Sequence, residues 1–528
     1  MSRFLKAPAL VVLLVLTTSL SQAATPAKSQ IEATIQRAME VFHAPGMAVS
    51  VVYGGKLWYA GGEGLREVGK RGKVDEHTLF QIASVSKAFT AAALAELVDD
   101  GKLDWDGRVI DYLPEFRMYD AWVTREFTVR DLLTHRSGLP LGAGDLLMFP
   151  EGNATRADII HAMRYLKPAT SFRSEFAYDN LMYIIAGEVV ARVSGMPFED
   201  FVERRLLAPL RMTDCTASHE RVPQGSKTAT PHLYENGEYQ VTDAGAGGLV
   251  AAAGGVNCSA ASMARWLQFV LDKGKTADGE QLISAAQFRQ LLSPVTILPV
   301  PGYMAEHAGS FMNAYALGWD VSTFYGQPMY SHSGGLWGMT TYVAVLPKQG
   351  LAVFASNNQM SVAPRAVVND LLDKFLADTV PDAGKDWIAI LDDLVQSRQA
   401  AGEEAVAKAM SERAADSTPS LPLEAYTGAY RDPWYGTVHI ELRDDGQLWF
   451  RSDRNPPLTG PLEHFQYDTF IAHWTNRQLR ADAYVSFSLD LQGKANRVKM
   501  KAVSPNTDFS YDFRDLDLVR VDSDGAAE

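Results

Sequence analysis

Ser84 and Lys87 stand three residues apart in FQIASVSKAFTAAALAELVDDGK (residues 80–102), where the small and apolar run from Ala88 to Val98, closed by Gly101, predicts a helix. Side chains at that spacing share a helix face, so the lysine amine can reach the serine hydroxyl. A serine at a helix start ordinarily caps it, with Glu or Gln best three residues on, and lysine has the wrong sign for the positive end of the helix dipole. The position makes sense for a base. Dipole and partial burial both disfavour the ammonium and push the amine toward the neutral form that accepts a proton. Serine then attacks and lysine takes its proton. The backbone N–H of Ser84, one of the orphan donors of a helix start, can face a developing oxyanion.

Alone the pair is a weak signal, since a chain of this length holds about one or two S-x-x-K matches by chance. Two further stretches add to it. Tyr178 and Asn180, in SEFAYDNLMYIIAGEVVARVSG, fall in a loop leading into an amphipathic helix, where a phenol can relay a proton and a carboxamide can orient lysine or a substrate amide. His332, Ser333, Gly334 and Gly335, in MYSHSGGLWGMTTYVAVL, fall on a strand entering a hairpin, so that an edge backbone can bind substrate and the Gly335 N–H is the natural second oxyanion donor. A rival Tyr234-Glu235-Asn236 precedes Gly237, and Asn-Gly is a turn signal, so it is read as a surface turn. His135, in LLTHRSGL, is read as bracing its loop through hydrogen bonds and not as a member of a catalytic triad.

The elements that must position these groups follow from hydrophobic patterning. Residues 46–62 read as two apolar strands joined at Gly54-Gly55, and a second hairpin lies in MTTYVAVLPKQGLAVFASNN with its turn at Pro347 to Gly350. Helical patterns such as NLMYIIAGEVVARVSG and SAASMARWLQFVLDKG, each ended by glycine, lie between. Strands at both ends with helices between predict an α+β domain over 24–380 whose terminal strands share one antiparallel sheet. A charged helical pattern and the polar, proline-bearing ADSTPSLPLE make 381–420 a helical and polar linker. From 421 to 528 the composition changes to short alternating segments, YGTVHIELRDDGQLWF, DAYVSFSLDLQGKANRVKMKAV and DFSYDFRDLDLVRV; about eight short strands fit a small closed antiparallel barrel.

S-V-S-K, then Y-x-N, then H-x-G, with TVRDLLTHRSGLP between the first two, resembles the serine hydrolase family of class C β-lactamases, D-Ala-D-Ala carboxypeptidases, D-aminopeptidases and esterases. The likeness covers roughly residues 30 to 378. It implies the β-lactamase/transpeptidase-like fold, an antiparallel sheet flanked by helices. It also implies Ser84 as acylated nucleophile, Lys87 as its base, and Tyr178 as the acid that protonates the leaving group and helps water attack. Asn180 and the strand of His332, Ser333, Gly334 and Gly335 would hold substrate. The last hundred residues resemble, more loosely, the lipocalin-like barrels appended to some members. One position departs from the β-lactamase pattern: lysine is expected where His332 stands. Histidine is mostly neutral at pH 7, so the pull on a substrate carboxylate weakens and a dedicated β-lactamase becomes a poorer fit. Arg365, past the second hairpin, is read as an ordinary surface arginine, with supply of the missing charge as the alternative.

Bulk properties bound the remaining choices. The opening MSRFLKAPALVVLLVLTTSLSQAATP has Arg3 and Lys6 before an apolar run and a small-residue site, a secretory leader of residues 1–23 that places the enzyme in a periplasm or outside the cell. Its apolar core is too short to span a bilayer, so no stable membrane insertion is expected. Loss of those two cations takes the net charge from −14 to −16, which argues against nucleic acid as a partner. Cys215 and Cys258 form either one bridge or two buried thiols. No serine has glycine at both positions of a G-x-S-x-G elbow, and H-E-x-x-H is absent. GAGGLVAAAGG lacks the Lys-Ser/Thr ending of a phosphate loop; it either lets backbone pass close to the cleft or simply packs. The reading is an exported serine hydrolase without metal or organic cofactor, acting on a small amide or ester, with D-amino-acid peptides of peptidoglycan among the implied substrates. The alternative is a slow-turnover penicillin-binding sensor or wall-binding module.

Overall fold

A computed structural model describes residues 25–243 and 247–521, and the expected leader, residues 1–23, lies outside the described residues. Gly46–Tyr53 and Lys56–Gly64 form the first hairpin. Its turn residues Gly54 and Gly55 have φ of 59° and 74°, a pair of left-handed positions that glycine adopts without steric cost. Met339–Leu346 and Leu351–Asn357 form the second hairpin. The two meet as the alternation of elements predicts: Gly46–Tyr53 pairs antiparallel with Leu351–Asn357, from Met47 opposite Asn357 to Tyr53 opposite Leu351. The full sheet has eight strands, ordered Lys56–Gly64, Gly46–Tyr53, Leu351–Asn357, Met339–Leu346, Gln327–Leu336, Asp320–Phe324, Asn313–Tyr315 and Thr296–Ile297.

Helices cover both faces of the sheet, which is why its central strands read as unbroken apolar runs. On one face Ile31, Ile35, Val367, Leu371 and Trp387 pack against Val49, Val51, Val353 and Ala355. On the other, the helices Ser86–Asp99 and Ala260–Leu271 join Ala48, Val52 and Phe354 in a second cluster, with Phe89 stacked on Trp266 at a centroid distance of 4.0 Å. Every residue from Ser86 to Leu97 is buried, so the helix next to Ser84 is anchored all round. Cys215 and Cys258 are bridged, the first of the two alternatives. The bridge anchors the segment Asn257–Cys258, which pairs with Phe80–Gln81, the strand leading into Ser84.

The helix Trp387–Ser411 is capped by the Asp386 carboxylate, which accepts from the Ala389 N–H at 3.1 Å. Beyond it eight antiparallel strands close into a barrel, the first (Gly428–Asp432) pairing with the last (Leu518–Val521). One sequence expectation fails here. The alternation in DFSYDFRDLDLVRV is strand only at Leu518–Val521; Phe513–Asp515 is a 3₁₀ turn, and the residues before it form a loop turned toward the other unit. Its burial does not follow the alternation, since Tyr511, Asp512 and Phe513 are buried in succession while Phe509 is exposed, and these residues belong to no strand. The barrel docks through polar contacts: Asn455 Nδ2 donates to the Pro150 carbonyl at 2.6 Å, Arg454 donates to Asn153 Oδ1 at 3.2 Å, and Asp512 accepts from the Gly144 and Leu146 N–H groups at 2.6 and 3.1 Å.

Candidate active site

The segment carrying Ser84 is more sharply turned than a plain helix start. Ala83–Val85 is a 3₁₀ turn and the α-helix runs Ser86–Asp99. Ala83 holds φ of 49°, a left-handed conformation that costs an alanine of order 1–2 kcal/mol and redirects the chain from the strand Phe80–Gln81 into the helix. Ser84 is thereby left partly exposed in a cavity of about 390 Å³, while Lys87 is fully buried beneath it.

The Lys87 amine has three partners. Nζ lies 3.1 Å from Ser84 Oγ, 2.8 Å from Asn180 Oδ1 and 2.8 Å from the Ala253 carbonyl oxygen. The last two can only accept, so a neutral amine gives both its N–H groups to them and turns its lone pair on the Ser84 hydroxyl. Burial lowers the amine from 10.5 to about 7, against the Asp145 and Asp179 carboxylates, which raise it. Of the two causes expected from sequence, helix dipole and burial, desolvation is the leading one.

Asn180 is the first residue of the helix Asn180–Ser194, capped by Asp179, whose carboxylate accepts from the Leu181 N–H at 2.9 Å. Its amide is oriented from both ends: Oδ1 faces Lys87, and Nδ2 donates to Asp145 Oδ2 at 2.9 Å. Tyr178 precedes the cap, its ring centroid 4.8 Å from Lys87 Nζ and its hydroxyl bonded to that of Ser84. Burial raises the phenol well above 10, so it is a neutral proton donor at working pH. His135 braces this loop: its carbonyl accepts from the Ala177 N–H at 2.8 Å, Nδ1 accepts from the Asp179 N–H at 3.1 Å, and its ring lies 4.2 Å from that of Tyr178.

The strand Gln327–Leu336 forms the opposite wall. Its pairing with Asp320–Phe324 stops at Ser331, so on that side the backbone from His332 onward has no neighbouring strand and borders the cavity, which Ser333 and Gly335 line. The His332 imidazole also lines the cavity but is already engaged. The Ser333 carbonyl, 2.6 Å away, can only accept, so Nδ1 carries the proton, and Nε2 accepts from the Tyr315 hydroxyl at 2.8 Å. Burial lowers this histidine to about 3, and it is neutral. Arg365 is neither a free surface residue nor a wall of this cavity: it donates to the Tyr303 hydroxyl at 3.1 Å and lies over the Tyr342 ring at 4.7 Å. Tyr234 and Asn236 belong to the hairpin His232–Glu235 and Glu238–Val241, with Asn236 and Gly237 both at positive φ in its turn.

Gly334 packs against the nucleophile turn. A Cβ there would lie 2.4 Å from the Ile82 carbonyl oxygen and 3.0 Å from the Ser84 nitrogen, whereas at Gly335 the nearest atom is 3.9 Å away. Gly334→Ala must therefore push strand and turn apart, and a displacement approaching 1 Å at the reacting groups is expected to lower kcat/KM about 10²-fold. Steady-state kinetics beside a thermal melt checks this, with Gly335→Ala expected to leave the melting temperature unchanged.

Several site groups carry no signal in the sequence motifs. The Ala253 carbonyl comes from the glycine-rich stretch, which passes Ser84 closely enough that a Gly254 Cβ would lie 3.6 Å from the Ala83 carbonyl carbon. Asp320 and Tyr315 line the cavity from the neighbouring strands, and Asp508, Phe509 and Ser510 reach it from the barrel.

The comparisons with known proteins agree with this architecture. The sequence model of the family described as Beta-lactamase matches residues 31–378, and one described as a domain of unknown function (DUF3471) matches 412–520. The unguisins hydrolase ungD' of Aspergillus campestris is 29% identical over 450 residues, 82% of this chain and 81% of that one. Penicillin-binding protein 4 of Amycolatopsis lactamdurans is 29% identical over 325 residues, 60% of this chain and 81% of that one. The octameric penicillin-binding protein homologue from Pyrococcus abyssi shares the fold with a TM-score of 0.60 at 21% identity, over 93% of this chain and 99% of that one. With two thirds of its length matched by one family model and hydrolases among its relatives, the chain belongs to the beta-lactamase family and is a serine hydrolase.

Proposed function

We propose that the enzyme hydrolyses a small amide or ester through an acyl-enzyme on Ser84, and that its preferred substrate carries an amine, not a carboxylate, near the scissile bond. The observation that carries the reading is the allocation of protons around Lys87, which leaves its lone pair for the Ser84 hydroxyl. Ser84 Oγ bonds to the substrate carbonyl carbon as its proton passes to Lys87 Nζ. The N–H groups of Ser84 and Gly335 bind the resulting oxyanion. Collapse breaks the bond to the leaving group, which takes a proton from the Tyr178 phenol; the phenol regains one from Lys87. Water then attacks the ester carbonyl, its proton is passed back through the same pair, and Ser84 is released. Asn180 and the Ser333 to Gly335 edge hold the substrate amide beside the neutral His332.

Charge supports the substrate class. Among the described residues the cavity is lined by the carboxyl groups of Asp320 and Asp508 and by no cationic side chain; Lys87 lies buried beneath it, and Arg365, outside its walls, acts on Asp320 through space. Burial lifts Asp320 to about 6, still ionised at neutral pH. A substrate carboxylate would meet repulsion there, and an ammonium would be attracted. This disfavours carboxypeptidase and β-lactamase substrates and favours D-amino-acid amides, amino-terminal peptides and aminoacyl esters. The leader sequence supports an exported enzyme meeting such peptides at the cell wall. Relatives named as unguisins hydrolases and a penicillin-binding protein fit a hydrolase of this kind.

The test is a panel of D-alanine amide, D-Ala-D-Ala peptides, short-chain esters and nitrocefin, with intact mass after a fluorophosphonate and after penicillin. The amine-bearing amide is expected to exceed the carboxylate-bearing peptide by at least about tenfold in kcat/KM, and Asp320→Asn is expected to narrow that ratio. A preference for the carboxylate-bearing peptide would overturn the substrate class. A penicillin adduct that persists without turnover of any panel member would favour the sensor reading.

A further inference from the structure

Asp145 lies between the barrel and the catalytic lysine. It is fully buried, and its Oδ2 accepts two hydrogen bonds of 2.9 Å, one from Asn180 Nδ2 and one from Ser510 Oγ of the barrel loop. Among the described residues its other oxygen has no partner. The backbone around it is held from the same side, because the buried Asp512 carboxylate accepts from the N–H groups that flank it, Gly144 and Leu146. The barrel thus fixes both the side chain and the turn of a residue more than 360 positions away in sequence.

From these contacts we infer that the C-terminal barrel is part of the catalytic centre, with Ser510 and Asp512 as positioning residues that hold Asp145 against Asn180 and, through Asn180, the amine of Lys87. The inference rests on the acyl-enzyme reading above. An ionised Asp145 is acceptor-only, so it obliges Asn180 to present its NH₂ group and turns Oδ1 toward Lys87. A protonated Asp145 could donate to Asn180, and the amide could then reverse and offer the lysine a donor in place of an acceptor. Ser510 and Asp512 act on this choice in different ways: Ser510 donates to the carboxylate and favours its charged form, while Asp512 fixes the turn but, as a nearby acid, opposes that charge.

The sign of the effect follows from the groups in contact. Burial first, then the neighbouring Asp512 and Asp179, raise Asp145 well above the ordinary carboxylate range, while the bonds from Asn180 and Ser510 lower it. Lys87 faces Asp145 and Asp179, the neutral His135 and His332, and the rings of Tyr178 and Tyr183. Loss of the Ser510 hydroxyl favours protonated Asp145, removes one of the two charges that raise Lys87, and so moves the lysine titration to lower pH.

The experiment uses the full chain and follows the rate of Ser84 labelling by a fluorophosphonate as a function of pH, which reads the basicity of Lys87 without a chosen substrate. Wild type is expected to label with an acidic limb. Ser510→Ala is expected to move that limb down by about half a pH unit or more and to lower the plateau several-fold, Ser510→Thr to restore both, and Asp145→Asn to shift the limb at least as far. In the double variant the shifts should not add, because both act through one carboxylate. Arg454→Ala, which removes a docking contact outside this chain of bonds, is expected to leave the limb in place. A limb unmoved in both Ser510→Ala and Asp145→Asn, or moved equally by Arg454→Ala, overturns the inference alone. Absence of labelling in wild type overturns the acyl-enzyme reading and the inference with it.

Discussion

Replacing Ser84 by alanine will abolish acylation and lower turnover by at least about 10⁴-fold, and replacing Lys87 by alanine will cost about as much. The equality is the informative part. Nζ and Oγ are 3.1 Å apart and the amine is the base hydrogen-bonded to that hydroxyl, so either change removes the same attacking unit. The double variant should then be no worse than either single one. Lys87→Arg should not rescue, because a guanidinium stays protonated and has no lone pair to offer. Wild-type kcat/KM should fall as pH drops through about 7, roughly tenfold per unit below it, since burial holds the amine near that value and only its neutral form accepts the proton. Steady-state kinetics with intact-mass detection of the fluorophosphonate adduct checks each of these. Turnover surviving in Ser84→Ala at more than a few per cent would remove the nucleophile from the reading.

The parts of this site legible in the sequence are those whose chemistry is local or carried by a motif. Ser84 and Lys87 declare themselves because a three-residue spacing meets on one face of a helical turn. Tyr178, Asn180 and the Ser333 to Gly335 edge come from short motifs, and the structure gathers them around the same cavity. The sheet was legible because its central strands, drawn from the two ends of the domain, are buried on both faces and must be continuously apolar. Asp145 was not, since nothing near it in sequence marks a carboxylate whose partners are Asn180 and a serine on the barrel. The Ala253 carbonyl is backbone and leaves no side-chain signature. The loop before Phe513 was misread as strand because aromatic and polar residues alternate there in sequence, whereas their burial is set by the loop's own contacts and runs through three consecutive residues, Tyr511 to Phe513. Arg365 shows the complementary limit: sequence gives its charge but not that Tyr303 and Tyr342 already claim it.

With an activated ester, whose leaving group needs no proton, Tyr178→Phe separates the two halves of the reaction, and it should slow deacylation by about 10²- to 10⁴-fold while slowing acylation much less. The substitution keeps the ring, which lies 4.2 Å from that of His135 and meets Phe509 edge-on at 5.9 Å, so packing and fold are conserved. Only the hydroxyl is lost. In the free enzyme that hydroxyl shares the Ser84 oxygen with Lys87, and the lysine can still deprotonate the nucleophile without it. In the acyl-enzyme Ser84 Oγ is esterified and carries no proton, and the incoming water must be held and deprotonated from the phenol side of the site. A phenol raised well above 10 by burial cannot be the base itself, but it can pass the water proton to the neutral amine beneath its ring. The variant should therefore accumulate acyl-enzyme, visible as a persistent mass adduct with an activated ester that wild type clears, and show a burst followed by slow turnover. If acylation and deacylation fall by the same factor and no adduct accumulates, the phenol serves both steps alike and the relay to water must be assigned elsewhere.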